Sequence, residues 1–226
     1  MIPANMNDVL NDKIRLKFQK TGKLKFISHL DLMRTMKGAL GRAKIPVKYT
    51  EGFNPHPKMV FSLPLPVGAE SVCEYLDFTL TGPRGKTELI SAINAQLTRD
   101  LRILDAYPQD MSFQDVTSAE YDFNFYDLSP EDLQNALARD LPIVKKSKKG
   151  MIEVDLRPKI AGYGIETRKD GNGVPFTRFH ALLGADSGDF VNPELLVRAI
   201  EKALGKPVED YSILRLELYA GDAVFH

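Results

Sequence analysis

The segment Ile14-Arg15-Leu16-Lys17-Phe18-Gln19, followed by Ser28-His29-Leu30-Asp31, decides the fold of the amino-terminal half. Apolar and polar residues alternate in the first segment, and this period of two predicts a strand with one buried face and one basic face. After a turn at Thr21-Gly22, the pattern predicts that the strand extends to Phe26. In the second segment, Ser28 with Asp31 three residues later predicts a capping box that opens a helix.

The predicted helix ends before Pro46 and has one apolar and one cationic face. Because residues three, four and seven apart share a helix face, strand and helix are predicted to show basic surface on the same side. The apolar face is Met33, Met36, Leu40 and Ala43, and the cationic stripe is Arg34, Lys37 and Lys44.

The remaining hydrophobic patterns predict the same order of elements twice. The first half continues with strands at 47–50, 59–63, 72–80 and 101–106 and a helix at 86–98. The second half gives a strand from Tyr121, a helix from Ser129-Pro130, a hairpin at 143–156, strands at 163–168, 176–183 and 214–218, and a helix after Asn192-Pro193.

The order β-α-β-β-α-β is that of the split βαβ arrangement. We therefore predict an α+β protein of two tandem ferredoxin-like (split βαβ) units, at residues 1–106 and 119–226, with a connection at 107–118. This prediction rests on the order of elements, since the two halves show no clear residue-by-residue repeat.

Composition limits the class of protein. The 226 residues include 43% hydrophobic residues, one Cys and no Trp. This composition excludes disorder and collagen, and no apolar run comes near the ~18 residues of a membrane span. One cysteine forms no internal disulfide, cysteine zinc site or iron–sulfur cluster, so we expect a cytoplasmic protein without a bound cofactor.

Zero net charge hides an uneven distribution. Residues 1–60 carry 12 Lys+Arg against 4 Asp+Glu, and a second basic island lies at 141–159. Two interpretations are open: a polyanion partner, or a solvated basic face balanced by acidic neighbours. For the first, the predicted RNA-binding residues are Lys23, Lys25, Arg34, Lys37, Phe53, Asn54, His56, Lys58, Lys145, Lys146, Lys148 and Lys149.

The loop Glu51-Gly52-Phe53-Asn54-Pro55-His56-Pro57-Lys58 is the most unusual stretch of the chain. Two prolines stiffen the backbone around His56, beside an aromatic ring, an amide and a cation. Those groups suit a single-stranded nucleotide. The alternative is a structural loop in which Phe53 fills a core and His56 binds a carbonyl.

His29 and His56 are the candidate catalytic residues. His29 follows the Ser28 cap, where the helix amino terminus attracts anions such as phosphate, although an exposed residue without a role is the other interpretation. The four histidines are scattered, so we predict no metal site. Gly162, Gly164, Gly171 and Gly173 are interpreted as turn residues, and Cys73 as a buried structural residue.

Four phrases of the chain resemble a known family. They are Lys20-Thr21-Gly22-Lys23-Leu24-Lys25-Phe26-Ile27-Ser28-His29-Leu30-Asp31, Gly52–Lys58, Pro64-Leu65-Pro66-Val67-Gly68 and Glu74-Tyr75-Leu76-Asp77. They resemble the radical SAM-linked protein family of bacteria, over roughly residues 13–110. Members stand alone or are fused to the carboxyl end of cobalamin-binding-type radical SAM proteins.

The resemblance implies a radical SAM partner but no activity for the matching residues Ser28, His29, Asp31, Asn54 and His56. This chain lacks the cysteine motif that would hold a radical SAM cluster, so radical chemistry belongs to the partner. At the level of fold, the predicted layout also looks like the CRISPR-type repeat RNA-processing endoribonucleases, an analogy that carries little weight.

Three functions follow. The favoured one is an RNA-binding accessory module that presents transfer or ribosomal RNA to a radical SAM enzyme for modification or processing. The second is a metal-independent endoribonuclease that uses His29 or His56 as acid or base, with Lys25 or Lys58 near the phosphate. The third is a protein–protein adaptor without nucleic acid.

Overall fold

The computed structural model describes residues 9–147, 150–186 and 188–226. These residues form a mixed α and β architecture with four α-helices and mainly antiparallel strands, arranged as two compact units. Unit 1 ends at Phe113 and also contains His226, and unit 2 spans Gln114–Phe225. No helix in the described ranges is both long enough and apolar enough to cross a membrane.

In the described part of unit 1, from Val9 onward, there are six strands and two helices. They are β1 Val9–Leu10, β2 Lys13–Lys20, α1 His29–Arg42, β3 Met59–Phe61, β4 Ala69–Thr79, β5 Arg84–Gly85, α2 Lys86–Asn94 and β6 Leu101–Pro108. The main sheet has the strand order β3-β4-β2-β6 with every neighbouring pair antiparallel, and β1 pairs separately with β5. The first long strand therefore lies in the middle of its sheet.

Helix α1 begins where the sequence predicted. The Ser28 hydroxyl accepts a hydrogen bond from the Asp31 backbone N–H at 3.1 Å, which satisfies one of the free donors at the helix start. Lys44 follows the helix with a positive φ of 53°. The side chains that α1 buries are Leu32, Met36, Ala39 and Leu40, so Met33 and Ala43 are only partly buried.

The core of unit 1 lies between α1, α2 and one sheet face. Ile14, Leu16 and Phe18 of β2 are fully buried there, in agreement with the predicted alternation. Burial of each such side chain stabilises the fold by roughly 1.5–3 kcal/mol. The partners of these residues in the core include Met36, Leu40, Leu76, Phe78, Leu89 and Ile93.

Two predictions for this region are wrong. Residues Gly22–Phe26 form a turn of 3-10 helix rather than a strand extension, because Gly22 takes a φ of +57° and ends the extended chain. The opposite face of β2 is not a basic surface either, since Arg15 is fully buried and Lys17 is half-buried. Arg15 is inside because Asp77, directly opposite on β4, binds it with both carboxylate oxygens.

Unit 2 contains seven strands and two helices within the described residues. They are β7 Ser118–Phe125, α3 Pro130–Leu137, β8 Pro142–Ser147, β9 Gly150–Asp155, β10 Ile160–Lys169, β11 Pro175–Gly184, α4 Pro193–Leu204, β12 Tyr211–Ala220 and β13 Ala223–Val224. The main sheet has the antiparallel order β10-β11-β7-β12, with β13 beside β12. The hairpin β8-β9 forms a separate ribbon.

Local signals place both helices of unit 2. Ser129 and Asp132 form a capping box at α3, and Asn192 caps α4 through the Glu194 N–H. Gly205 ends α4 in the left-handed conformation, with φ +67°. One sheet face buries the aromatic residues Tyr121, Phe123, Phe125 and Phe179.

The interpretation of the glycines is wrong for two of them. Gly162 and Gly164 lie within β10 and pair with β11, opposite Leu182 and His180. Gly171 and Gly173 lie in the turn between the two strands, and Gly173 takes a φ of +82°. The first pair was missed because glycine is uncommon inside strands.

Candidate nucleic-acid interface

The tip of the loop at residues 51–58, here called the Phe53 loop, is fully exposed. Phe53 has a relative exposure of 112%, so its ring fills no core and the structural interpretation of Phe53 is wrong. Gly52 before it has a φ of +119°, a backbone conformation that side-chain-bearing residues rarely adopt. An exposed aromatic ring at a loop tip provides a flat surface for a ligand.

The base of the Phe53 loop is held by hydrogen bonds between residues 48–50 and residues 56–58. The Thr50 N–H donates to the His56 carbonyl at 2.8 Å, and the His56 N–H donates to Thr50 Oγ1 at 3.1 Å. One step further, the Lys58 N–H donates to the Lys48 carbonyl at 2.9 Å. These bonds fix the position from which Phe53 projects.

His56 uses one ring nitrogen inside the loop. Its Nδ1 lies 3.2 Å from both the Asn54 carbonyl oxygen and Thr50 Oγ1. Within the described part of the chain, Nε2 has no such partner and the side chain is exposed. The predicted carbonyl contact of His56 is therefore present, and Nε2 is left without a hydrogen-bond partner among the described residues.

Most of the predicted cations of unit 1 are exposed. Lys23, Lys37 and Lys58 are exposed, Lys25 is half-buried, and Asn54 beside them is exposed. Arg34 is exposed but pairs with Asp31 at 3.2 Å, and this contact, after that of the Ser28 hydroxyl, holds the pKa of Asp31 below its ordinary value. Lys44 and Lys48, outside the predicted binding set, add two exposed cations near the loop in sequence.

His29 has a different environment from His56. Its ring is half-buried and packs edge-on against Phe61, with the ring centroids 5.4 Å apart. Phe61 is the last residue of β3 and His56 lies three residues before its start, about 16 Å away along an extended chain. His29 therefore contacts the carboxyl-terminal residue of β3, whereas His56 precedes the amino-terminal residue of that strand in the chain.

The second predicted basic island lies on the hairpin of unit 2. Lys145 of β8 is half-buried, and Lys146 is described by its backbone alone, as part of β8. Lys148 and Lys149 lie outside the described residues. The described strands of the hairpin expose Val144, Met151 and Ile152, so apolar side chains contribute to its surface.

Sequence reasoning missed the exposed apolar residues of unit 1. Phe26 is 64% exposed, and the Lys25 ammonium lies 5.3 Å from its ring centroid, within the range of a cation–π contact. The others among the described residues, apart from Phe53, are Val9, Leu30, Tyr49, Val60, Val67 and Leu104. Phe26, Tyr49 and Val60 lay in predicted strands, and alternation predicts burial on one face only when that face is covered.

A second missed feature is a network of charged residues on the sheet of unit 2. His180 Nε2 lies 2.9 Å from Glu120 and its Nδ1 lies 2.8 Å from Asp122. Arg178 then binds Asp122 at 2.7 Å and Glu166 at 2.8 Å. The alternation of Glu120 and Asp122 in β7 was the available signal, but their partners on β11 are about 60 residues away.

This charged network is less suited to RNA than the surface of unit 1. Bonding to Asp122 raises the pKa of Arg178, which keeps the guanidinium charged, while the bonds of Glu166 to Arg168 and Arg178 lower the pKa of that carboxyl. The Glu166 carboxylate thus stays ionised and repels phosphate. Among the described residues, no group of three or more His, Cys, Asp or Glu side chains is placed to hold a metal ion.

Together these features define a mixed α/β protein with a cationic, aromatic-tipped surface on its first unit. Residues 13–193 match the family described as "Uncharacterized protein conserved in bacteria (DUF2344)", and the chain belongs to that family. The match includes the Phe53 loop and both candidate histidines. It carries no link to radical SAM enzymes, so that part of the resemblance stays a prediction.

Comparison with individual proteins adds little. No curated protein matches the chain. Among solved structures, it is similar to "DyPB from Rhodococcus jostii RHA1, crystal form 2", at 12% sequence identity, with 83% of each chain covered and a TM-score of 0.23. A similarity at this TM-score supports no conclusion on fold or function.

Proposed function

We propose that this protein is an RNA-binding accessory module that works with a radical SAM enzyme in RNA modification or processing in the cytoplasm. The RNA is a transfer or ribosomal RNA, and the radical chemistry and its cofactors belong to the partner enzyme. The observation that carries the RNA part is the fully exposed ring of Phe53 on a loop braced by hydrogen bonds. The radical SAM part rests on the family resemblance of the sequence.

The chemistry of the Phe53 loop favours unpaired RNA. An aromatic side chain stacks on a base only when the base is free of its own helix, and such stacking contributes roughly 1–3 kcal/mol per base. Asn54 and the His56 Nε2 add hydrogen-bonding groups beside the ring. Lys48 and Lys58, which are exposed and joined through their backbones, supply positive charge for phosphates.

The formal charges of the two units also support RNA binding by the surface of unit 1. Residues 1–113 carry 16 Lys+Arg against 11 Asp+Glu, whereas residues 114–225 carry 14 against 19. Several cations of the first unit are in solvent, namely Lys23, Lys37, Lys44, Lys48 and Lys58. The field around unit 1 therefore attracts a polyanion, while that around unit 2 repels it.

We further propose that both units are ferredoxin-like, at the predicted bounds 1–106 and 119–226. The four strands concerned are, in chain order, β2, β3, β4 and β6 in unit 1 and β7, β10, β11 and β12 in unit 2. In both sheets they lie in the order fourth, first, third, second, and a helix follows the first strand and the third. That arrangement is the one expected of a split βαβ unit. In unit 2, the hairpin β8-β9 is then an insertion between the first helix and the second strand.

A protein–protein adaptor is the second candidate, favoured by one observation. Leu30, Val60 and Val67 are each more than half exposed on unit 1, and exposed apolar side chains are common in protein interfaces. The endoribonuclease is less favoured, because His29 packs on Phe61, the last residue of β3, while His56 precedes the first residue of that strand in the chain.

The test is crosslinking and sequencing of RNA bound to the tagged protein in its native cell, with an uncrosslinked control. We expect one discrete transfer or ribosomal RNA site. Absence of enriched RNA would support the adaptor, and a radical SAM enzyme should then co-purify with the protein in an RNase-resistant manner. Cleaved RNA in the bound fraction, lost in His29→Ala or His56→Ala, would support the ribonuclease.

The RNA found in this way allows a binding assay with matched variants. Phe53→Ala should weaken binding roughly tenfold, while Val67→Ala, at another exposed apolar residue, should leave binding unchanged. The double variant Lys48→Glu, Lys58→Glu should weaken binding and reduce the salt slope by about 2, whereas Lys202→Glu on unit 2 should not. If RNA binding is unaffected by Phe53→Ala, by the double lysine variant and by salt, the surface of unit 1 is not the RNA-binding site.

A further inference from the structure

Strand β10 forms one edge of the unit 2 sheet. Within the described residues it pairs with β11 alone, over the whole length Ile160–Lys169. All of its residues are exposed except Ile160 and Ile165, and it contains no proline. The register shifts between Ile160 and Gly162, and from Gly162 to Lys169 the pairing is regular. That regular part of the edge presents a row of backbone N–H and C=O groups that another strand can pair with.

We propose that the occupant of this edge is the β10 strand of a second copy of this chain, paired antiparallel. Two identical strands related by a two-fold axis form an isologous interface, in which every contact occurs twice. This inference concerns unit 2 and is independent of the proposed RNA-binding surface.

In the proposed register, Gly164 lies opposite Gly164 of the second copy. Tyr163 is then opposite Ile165, and by symmetry Ile165 is opposite Tyr163. An aromatic residue opposite a β-branched residue is a favourable cross-strand pair. Tyr163 is 45% exposed, so it has surface to bury in such a pair.

The charges of β10 agree with this register. Glu166 is placed opposite Gly162, so within the regular part of β10 no two like charges face each other. A register centred on Glu166 would oppose two carboxylates, which is unfavourable. A register centred on Gly162 would reduce the overlap to residues 160–164.

The two glycines of β10 provide a matched test of this register. A Cβ added at Gly162 or at Gly164 meets no atom within 4 Å, and neither glycine has a positive φ. Cysteine should therefore be accommodated at both positions. The native Cys73 is buried, so each variant carries one accessible thiol.

The experiment is oxidation of the Gly164→Cys and Gly162→Cys proteins, followed by electrophoresis without reductant. Opposed residues of antiparallel strands have Cα atoms about 4.5–5.5 Å apart, within the range of a disulfide. The two Gly162 positions would be about 13 Å apart, because four residues separate them along the strands. We expect a crosslinked dimer from Gly164→Cys and none from Gly162→Cys.

Light scattering on the unmodified chain gives a second readout. We expect a mass that rises with concentration from 25.3 kDa towards twice that value, and that stays at 25.3 kDa in Ile165→Lys, whose circular dichroism is unchanged. Crosslinking of both cysteine variants, or of neither, overturns the proposal. So does a mass of 25.3 kDa at every concentration.

Discussion

The two units carry the same kind of ion pair in different surroundings. In unit 1, Arg15 on the first long strand binds Asp77 on the third; in unit 2, Asp122 on the first binds Arg178 on the third. Both pairs lie on the sheet face opposite the main apolar side chains. The Arg15 side chain has no solvent exposure, however, whereas that of Arg178 is 24% exposed.

The comparison shows how burial changes what an ion pair does. Arg15 binds both oxygens of Asp77 at 2.7 Å, donates to the carbonyls of Met111 and His226 at 2.8 Å, and lies 4.3 Å from the Phe113 ring centroid. Arg178 binds two carboxylates that water also reaches. Loss of Arg15 therefore leaves the buried carboxylate of Asp77 without its cation, while water can replace the partly exposed Arg178.

The largest expected effect is that of Arg15→Met. It should lower the free energy of unfolding by about 3–5 kcal/mol, because an unpaired carboxylate is left buried. Urea unfolding followed by circular dichroism measures this loss. A loss below about 1 kcal/mol would contradict the role of burial and make the two pairs equivalent.

The pH dependence of that variant adds a check. Burial raises the pKa of Asp77, and the bonds to Arg15 oppose this rise. Without Arg15 the folded-state pKa should rise further above that of the unfolded chain. Asp77 of the folded variant then binds a proton more readily. The loss of unfolding free energy caused by Arg15→Met should therefore be smallest at low pH and grow as pH rises through the folded-state pKa of Asp77.

The second-largest expected effect is a partial recovery of the free energy of unfolding. Adding Asp77→Leu to Arg15→Met should restore about 2 kcal/mol, because the unpaired charge is removed and apolar side chains replace the pair. Unfolding of the single and double variants in the same buffer measures the difference. No recovery would mean that the carbonyls of Met111 and His226, rather than Asp77, depend on Arg15.

A smaller effect is expected in unit 2. Arg178→Met should lower the free energy of unfolding by about 1 kcal/mol or less, because the pair is partly exposed and screened by water. The difference should shrink further in high salt. A loss as large as that of Arg15→Met would indicate that exposure does not separate the two pairs.

The smallest effect is a shift in titration. Glu166 has a lowered pKa because its carboxylate binds Arg168 and Arg178. Its stabilising contribution is present above the unfolded-state pKa and is lost as pH falls through the lower folded-state pKa. In Arg178→Met, the pKa of Glu166 measured by NMR should rise but stay below the ordinary value, since Arg168 remains. An unchanged pKa would show that Arg178 does not interact with Glu166 in solution.

Local signals in the sequence predicted most of the elements. The Ser28 cap, the alternation of Ile14, Leu16 and Phe18, and Gly205 after α4 each depend on residues a few positions apart. The repeated order of strands and helices followed from the same signals. The turn at Gly22–Phe26 was missed because its alternating lysines and apolar residues fit a strand equally well.

The candidate sites depended on distant residues and were predicted less well. Arg15 was expected in solvent, because its partner Asp77 lies 62 residues away and only the sheet brings them together. The contacts of His180 were not predicted, because its partners Glu120 and Asp122 are on another strand. The Phe53 loop was found because its prolines and aromatic residue are consecutive in the chain.

The central position of β2 has a consequence for protein synthesis. Its two neighbours, β4 and β6, are both made later, and β6 is complete only 88 residues after Lys20. At about 5–20 residues per second, the ribosome needs roughly 4–18 s for that interval. During this time the edge of β2 that later pairs with β6 has no partner, so a translational pause before Leu101 would prolong its exposure to aggregation.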